Sequence, residues 1–228
     1  MKAFNRAALA LLLGSVALPA FAADLPSMTR APLAPAYDAP SPWMVRVRAM
    51  AVLPDSSASV SVNGAASVSG LKATNAVVPE LDITYFFTRN IAAELVLGVT
   101  PHRVKGTGAL AGLGTIGSTL LLPPTLLLQY HFTDLGAFKP YVGAGVNYTF
   151  MLRNKAKGVF TSFDVKNEPG LALQVGFDYM IDRHWGLNVD VKKLWLRPDA
   201  TGVVGGLPVT AKVKLDPWLI STGVTYRF

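Results

Sequence analysis

The sequence predicts an all-β protein, an eight-stranded antiparallel transmembrane β-barrel. Three observations predict it. Over residues 43–228 the dominant side-chain period is two, the strand signature, and it recurs in eight segments. One face of each segment is almost wholly apolar. The other is rich in glycine and sparse in charge, as a confined lumen is. The connections alternate between short and long, the pattern of an outer-membrane barrel. Hydrophobic residues are 51% of the 228 and charged residues only 15%, against about 25% in an ordinary soluble domain. Beyond the first two dozen residues no apolar run is long enough for a membrane-crossing helix.

The chain opens with an address. Lys2 and Arg6 are followed by an apolar stretch over residues 7–18, then Pro19, then the small-x-small pattern Ala20-Phe21-Ala22. Residues 1–22 are expected to be a signal peptide; losing Lys2 and Arg6 takes the formal charge from +7 to +5. Residues 23–42 carry Pro26, Pro32, Pro35, Pro40 and Pro42. Proline fixes φ and lacks the backbone donor, so this stretch reads as an extended N-terminal tail. The barrel is expected over residues 43–228.

The eight segments follow in order. Val45, Val47, Ala49 and Ala51 oppose Arg46, Arg48 and Met50. Leu81, Ile83, Tyr85 and Phe87 oppose Glu80, Asp82 and Thr84. Ala93, Leu95, Leu97 and Val99 oppose Glu94, Val96 and Gly98. Leu126, Leu128, Tyr130 and Phe132 oppose Leu127, Gln129 and His131. Val142, Ala144, Val146, Tyr148 and Phe150 oppose Tyr141, Gly143, Gly145, Asn147 and Thr149. Leu171, Leu173, Val175, Phe177, Tyr179 and Ile181 oppose Ala172, Gln174, Gly176, Asp178 and Met180. Trp185, Leu187, Val189 and Val191 oppose Asn188, Asp190 and Lys192. Trp218, Ile220, Thr222, Val224, Tyr226 and Phe228 oppose Leu219, Ser221, Gly223, Thr225 and Arg227.

Short turns are expected at 88–90, 133–137 and 182–184, and long loops at 54–77, 101–119, 151–169 and 197–212. In hydrocarbon every backbone donor must be paired, which forces such a sheet to close. With the short turns periplasmic, both termini are periplasmic. Trp43, Phe87, Tyr130, Phe132, Tyr179, Trp185, Tyr226 and Phe228 then form a girdle near the periplasm, and Tyr148, Phe150 and Trp218 one at the other rim. The alternating run ending in Tyr226 and Phe228 resembles the signal by which barrel-insertion machinery recognises its clients.

Depth along the strands divides the lumen. Arg46, Arg48, Lys192 and Arg227 fall at one level with Asp82, Glu94, Asp178 and Asp190. Buried charges have to pair, and an eight-stranded barrel is only wide enough for side chains to fill, so a polar plug is expected there. Above it Met50, Val52, Leu121, Leu127, Leu194, Leu196, Leu215 and Leu219 form an apolar bowl. A hydrophobic solute could enter such a bowl but not descend through the charges, so its exit would be sideways into the outer leaflet.

Other chemistry is thin. Cysteine is absent, and His102, His131 and His184 have no metal-ligand spacing, so no metal, cofactor or catalytic residue is expected. Gly106-Thr107-Gly108 and Gly112-Leu113-Gly114 resemble a phosphate loop only in glycine content and read as exposed loop. The basic balance lacks a basic helix or an aromatic platform, which argues against nucleic acid. Lys193 and the loop residues Arg103, Lys105, Arg153, Lys155 and Lys157 are instead expected to meet lipopolysaccharide phosphates.

Several runs carry a family resemblance. They are Val52-Leu53-Pro54-Asp55-Ser56; Pro79-Glu80-Leu81 leading to Thr84-Tyr85-Phe86-Phe87-Thr88; and Asn90-Ile91-Ala92-Ala93-Glu94. The most specific is Leu122-Pro123-Pro124-Thr125-Leu126 running into Gln129-Tyr130-His131-Phe132. Residues 139–148 and Asp216-Pro217-Trp218 complete the set. On these the chain resembles the OmpW family of outer-membrane barrels over nearly all of residues 43–228. The resemblance implies a monomeric eight-stranded barrel with a narrow hydrophobic channel, passing small hydrophobic molecules across the outer membrane of a Gram-negative bacterium. Two other classes compete: a lipopolysaccharide-modifying barrel enzyme, and a structural or adhesive barrel acting through its loops. The tail is longer than the family pattern, and the loops show no match to it.

Overall fold

The computed structural model describes residues 41–65 and 68–228. The expected signal peptide and the tail through residue 40 lie outside the described residues. Eight strands make the barrel: Trp43–Leu53, Ala76–Phe86, Ile91–Gly98, Thr125–His131, Phe138–Met151, Glu168–Met180, Trp185–Trp195 and Trp218–Arg227. Each pairs antiparallel with its neighbour in sequence, from Val47↔Leu81 through Leu95↔Leu126 and Val142↔Val175. The eighth returns to the first, with Val47↔Val224, which closes the sheet and leaves no edge.

The alternation sets which face each residue takes. Val47, Leu128 and Leu171 stand outward at about three-fifths exposure, while Arg46, Glu94, Leu127 and Lys192 are fully buried inside. A soluble protein does not leave a continuous apolar band of this kind in water. The band is edged by rings in edge-on contact. Trp43, Tyr85 and Phe87 run along one end at centroid spacings of 4.8 and 5.4 Å. Trp185, Tyr226 and Phe228 continue that girdle at 4.8 and 4.9 Å. Tyr148 and Phe150 stand at the opposite end, 4.8 Å apart.

The short turns gather at one end. At the other, the segments expected as long loops are mostly strand. Leu71–Ala73, Thr100–Gly106 and Thr115–Leu122 form a ladder that continues onto Lys155–Ala156 and the top of the fifth barrel strand. Phe160–Val165, Asp199–Val204, Leu207–Lys214, Ser57–Val62 and Val68–Ser69 form a separate five-stranded sheet. The physical reason is a second apolar interior: Ala58, Val60, Leu71, Ile116, Val165, Ala200, Val209 and Ala211 bury against one another there. The glycine-rich segment is also not plain loop. It holds a 3₁₀ turn, Gly108–Leu113, and its backbone comes so close at Gly106 that a Cβ would stand 2.0 Å from the Leu110 carbonyl oxygen.

Candidate functional site

The lumen is built in layers. In the lowest, Arg46 from the first strand grips Asp178 of the sixth with one edge of its guanidinium, Nε–Oδ1 at 3.0 Å and Nη2–Oδ2 at 2.6 Å. Its Nη1 pairs with Glu94 and donates to Thr84 Oγ1 at 3.2 Å. One turn of the alternation higher, Arg48 donates to Asn188 Oδ1 at 2.7 Å and Glu80 Oε1 at 3.2 Å, with the Asp82 carboxylate against it. Lys192 donates to Glu80 Oε1 at 2.9 Å and Asp190 Oδ1 at 2.5 Å. Neutral groups complete the layer. Gln174 bridges Glu94 and Asp190, Ser221 donates to Glu80 Oε2, and Tyr141 donates to Asp190 Oδ2 at 3.1 Å under the Arg46 guanidinium. Inward glycine makes the room: a Cβ on Gly176 would stand 2.6 Å from the Tyr141 hydroxyl.

Two placements differ from the sequence reading. Arg227 takes no part in the ion pairs. Its guanidinium lies 4.2 Å from the Phe86 ring centre and lines a basin at the short-turn end. Its position as the last inward residue of the eighth strand puts it past the acidic layer. Glu80, outside the four cations and four acids that the sequence places at this level, joins both Arg48 and Lys192. The alternation already faced it inward, which was the signal for it. The layer therefore holds five carboxylates and three cations.

Above the charges Met50, Val52, Val78, Val96, Leu127, Ala172, Leu194 and Leu219 pack as one buried cluster. A void of about 80 Å³ opens over it. Met50, Val52, Leu121, Leu194, Leu196, Leu215 and Leu219 all line it; Leu127, expected with them, is fully buried in the cluster beneath. Among the described residues no carboxylate lines this void. A second, smaller void lies between the extension sheets and shares Leu71, Phe163 and Ala200 with the first.

The wall beside the larger void is interrupted. Pairing between the third and fourth strands stops at Val96↔Thr125 and resumes beyond the membrane band at Thr100↔Leu121. Pro123 and Pro124 occupy the interval and have no N–H to donate. Asn147 Nδ2 holds their carbonyls at 3.2 and 3.3 Å from the fifth-strand side. At the rim, Asp216 Oδ1 accepts from Leu196 N at 2.9 Å, and its carbonyl accepts from Lys193 Nζ at 2.5 Å, beside the Trp218 ring.

The three histidines do not cluster. His102 lies on an inward position of Thr100–Gly106 rather than in a loop, and lines the void. His131 sits over Phe86 near the short-turn end, and His184 is in a turn, its Nδ1 2.7 Å from the Arg227 carbonyl. No cluster of metal-ligating residues occurs among the described residues.

A closed eight-stranded sheet with a lipid-facing apolar band and an aromatic girdle at each edge is an outer-membrane β-barrel of a Gram-negative bacterium. A profile of the OmpW family matches residues 42–228, and the chain belongs to that family. It is similar to the uncharacterized outer-membrane protein y4mB of Sinorhizobium fredii, 51% identical over 208 residues that cover 88% of each chain. The dibenzothiophene metabolism operon protein PahQ of Pseudomonas aeruginosa is 33% identical over 196 residues, 85% of this chain and 92% of the relative. The crystal structure of the outer membrane protein OprG from Pseudomonas aeruginosa matches with a TM-score of 0.75 at 31% identity, covering 83% of this chain and 97% of that one.

Proposed function

We propose that this barrel is a passive channel for small hydrophobic molecules, which enter the apolar void from the extended end and leave sideways into the outer leaflet. The carrying observation is the stacking: a void lined largely by leucine, valine and methionine stands on a packed apolar cluster, and that cluster on a buried layer of ion pairs. An apolar solute gains by leaving water for the void. It has no path down, because parting Arg46 from Asp178 or Lys192 from Glu80 exposes buried charge. In this reading the exit is the break in the wall at Pro123 and Pro124, which have no N–H to donate across it. That a relative is named for a dibenzothiophene operon is in keeping with an apolar cargo.

In this reading the polar plug is Arg46, Arg48, Asp82, Glu94, Asp178, Asp190 and Lys192, joined by Glu80. The short turns are periplasmic and the extended end faces outward. There exposed Arg103, Lys105, Arg153, Lys155 and Lys157 meet lipopolysaccharide phosphates. Outward-facing Tyr226 and Phe228 are read by the insertion machinery. The test is uptake of an apolar fluorescent dye by vesicles carrying lipopolysaccharide in their outer leaflet, with and without the purified barrel. Uptake is expected to rise in proportion to protein; equal rates overturn the proposal.

A further inference from the structure

The hydroxyl groups lining the void are largely committed to the protein itself. Thr119 Oγ1 donates to Asn154 Oδ1 and Thr149 Oγ1 to Asn147 Oδ1, each at 2.8 Å, and Ser56 Oγ accepts from Ala73 N at 3.0 Å. His102 is different. It is 5% exposed, lies across the ladder from Thr119, and its ring forms part of the lining. Its Nδ1 is 2.7 Å from the Thr74 carbonyl oxygen. A carbonyl only accepts, so Nδ1 carries the proton. Burial holds the ring's pKa below its ordinary value, outweighing the pull of that carbonyl. The ring is therefore neutral, and Nε2 presents a lone pair. Among the described residues no donor reaches it.

We infer that His102 Nε2 accepts a hydrogen bond from the solute, so that the void selects apolar molecules bearing one hydroxyl or N–H donor over hydrocarbons and ethers of the same size. The inference rests on the proposed passage through this void and names the class of cargo. A hydrocarbon or ether filling the void leaves Nε2 shut from water without a partner. An alcohol or phenol satisfies it and satisfies its own hydroxyl as well. One neutral hydrogen bond corresponds to a preference of about three- to tenfold.

The test uses two isomers, 1-nonanol and octyl methyl ether, which differ in having or lacking the donor. The protein, ¹⁵N-labelled at histidine and held in lipid nanodiscs, is titrated with each at equal bilayer mole fraction while displacement of an apolar reporter dye is followed. The nonanol is expected to move the His102 Nε2 resonance toward its hydrogen-bonded position and to displace the dye about three- to tenfold better than the ether. In His102→Phe the two should compete equally, and in His102→Gln, whose side-chain oxygen accepts, part of the preference should return. An unmoved Nε2 resonance, or equal competition in the native protein, overturns the inference while the void remains a hydrophobic site. Failure of both compounds to displace the dye overturns the inference together with the passage it rests on.

Discussion

Leu121 tests whether solute occupies the void. It lies opposite Thr100 on the inward face of Thr115–Leu122 and is 7% exposed. Among the described residues no carboxylate lines the void, so a lysine at this position meets no counter-charge there. An unpaired ammonium in apolar surroundings costs several kcal/mol, which it escapes by drawing in water or shedding its proton. A solute packed on one leucine side chain gains about 2 kcal/mol from that contact. Its loss lowers occupancy about thirtyfold. Dye uptake by Leu121→Lys is therefore expected to fall by at least about tenfold at matched levels of heat-modifiable barrel. Leu121→Met keeps the volume and should stay close to the native rate. Leu196→Lys is the milder case, because Asp216 is buried beside the Leu196 backbone and offers a counter-charge. Leu127→Lys is of another kind: it places the charge in the packed cluster below the void, so folded barrel should fail to accumulate. A folded Leu121→Lys barrel with native uptake would refute the occupied void.

Four other outcomes follow from the same geometry. Arg46→Met strands Asp178 and Glu94 without their cation; this should cost about 3–5 kcal/mol, read as a lower urea midpoint in vesicles, and an unmoved midpoint would deny the pairing its role. Arg48→Gln with Asp82→Asn removes a charge pair and should leave uptake unchanged if solute departs sideways, whereas a rise would route it through the floor. Phe228→Ala should lower the amount of heat-modifiable barrel in the outer membrane without reducing secretion, and normal levels would contradict the insertion signal. The backbone N–H groups of Trp185 and His184 hold the exposed Asp182 carboxyl below its usual range, so its support of the turn is present above the unfolded carboxylate pKa and lost as pH falls through the lowered one. Hydrogen-exchange protection of those two amides should drop below about pH 4, and Asp182→Asn should flatten that dependence.

The period of two determined, from sequence alone, the inward and outward face of every barrel strand. One face meets lipid and the other a packed lumen, so a slip of one residue would put Arg46 or Lys192 into hydrocarbon. The short turns, the aromatic girdles and the division of the lumen into charged and apolar levels follow from the same pattern. The sheet register decided the rest. Arg46 and Asp178 are 132 residues apart, and only closure of the ring brings the first and sixth strands to grip across the lumen. The same closure recruited Glu80 and left Arg227 outside the acidic layer against Phe86. The extension strands show how far local pattern reaches. Ser57–Val62 does alternate, but its inward residues are no larger than valine, and most of what they bury with, Ile116, Val165, Ala200, Val209 and Ala211, lies far off in the chain. Its ladder partner Leu207–Lys214 also comes from about 150 residues away, so these segments become strands only once the barrel below has brought them together. His102 became a lining residue by the same assembly. Its ladder to Thr119 and its bond to the Thr74 carbonyl exist only after three separate segments meet.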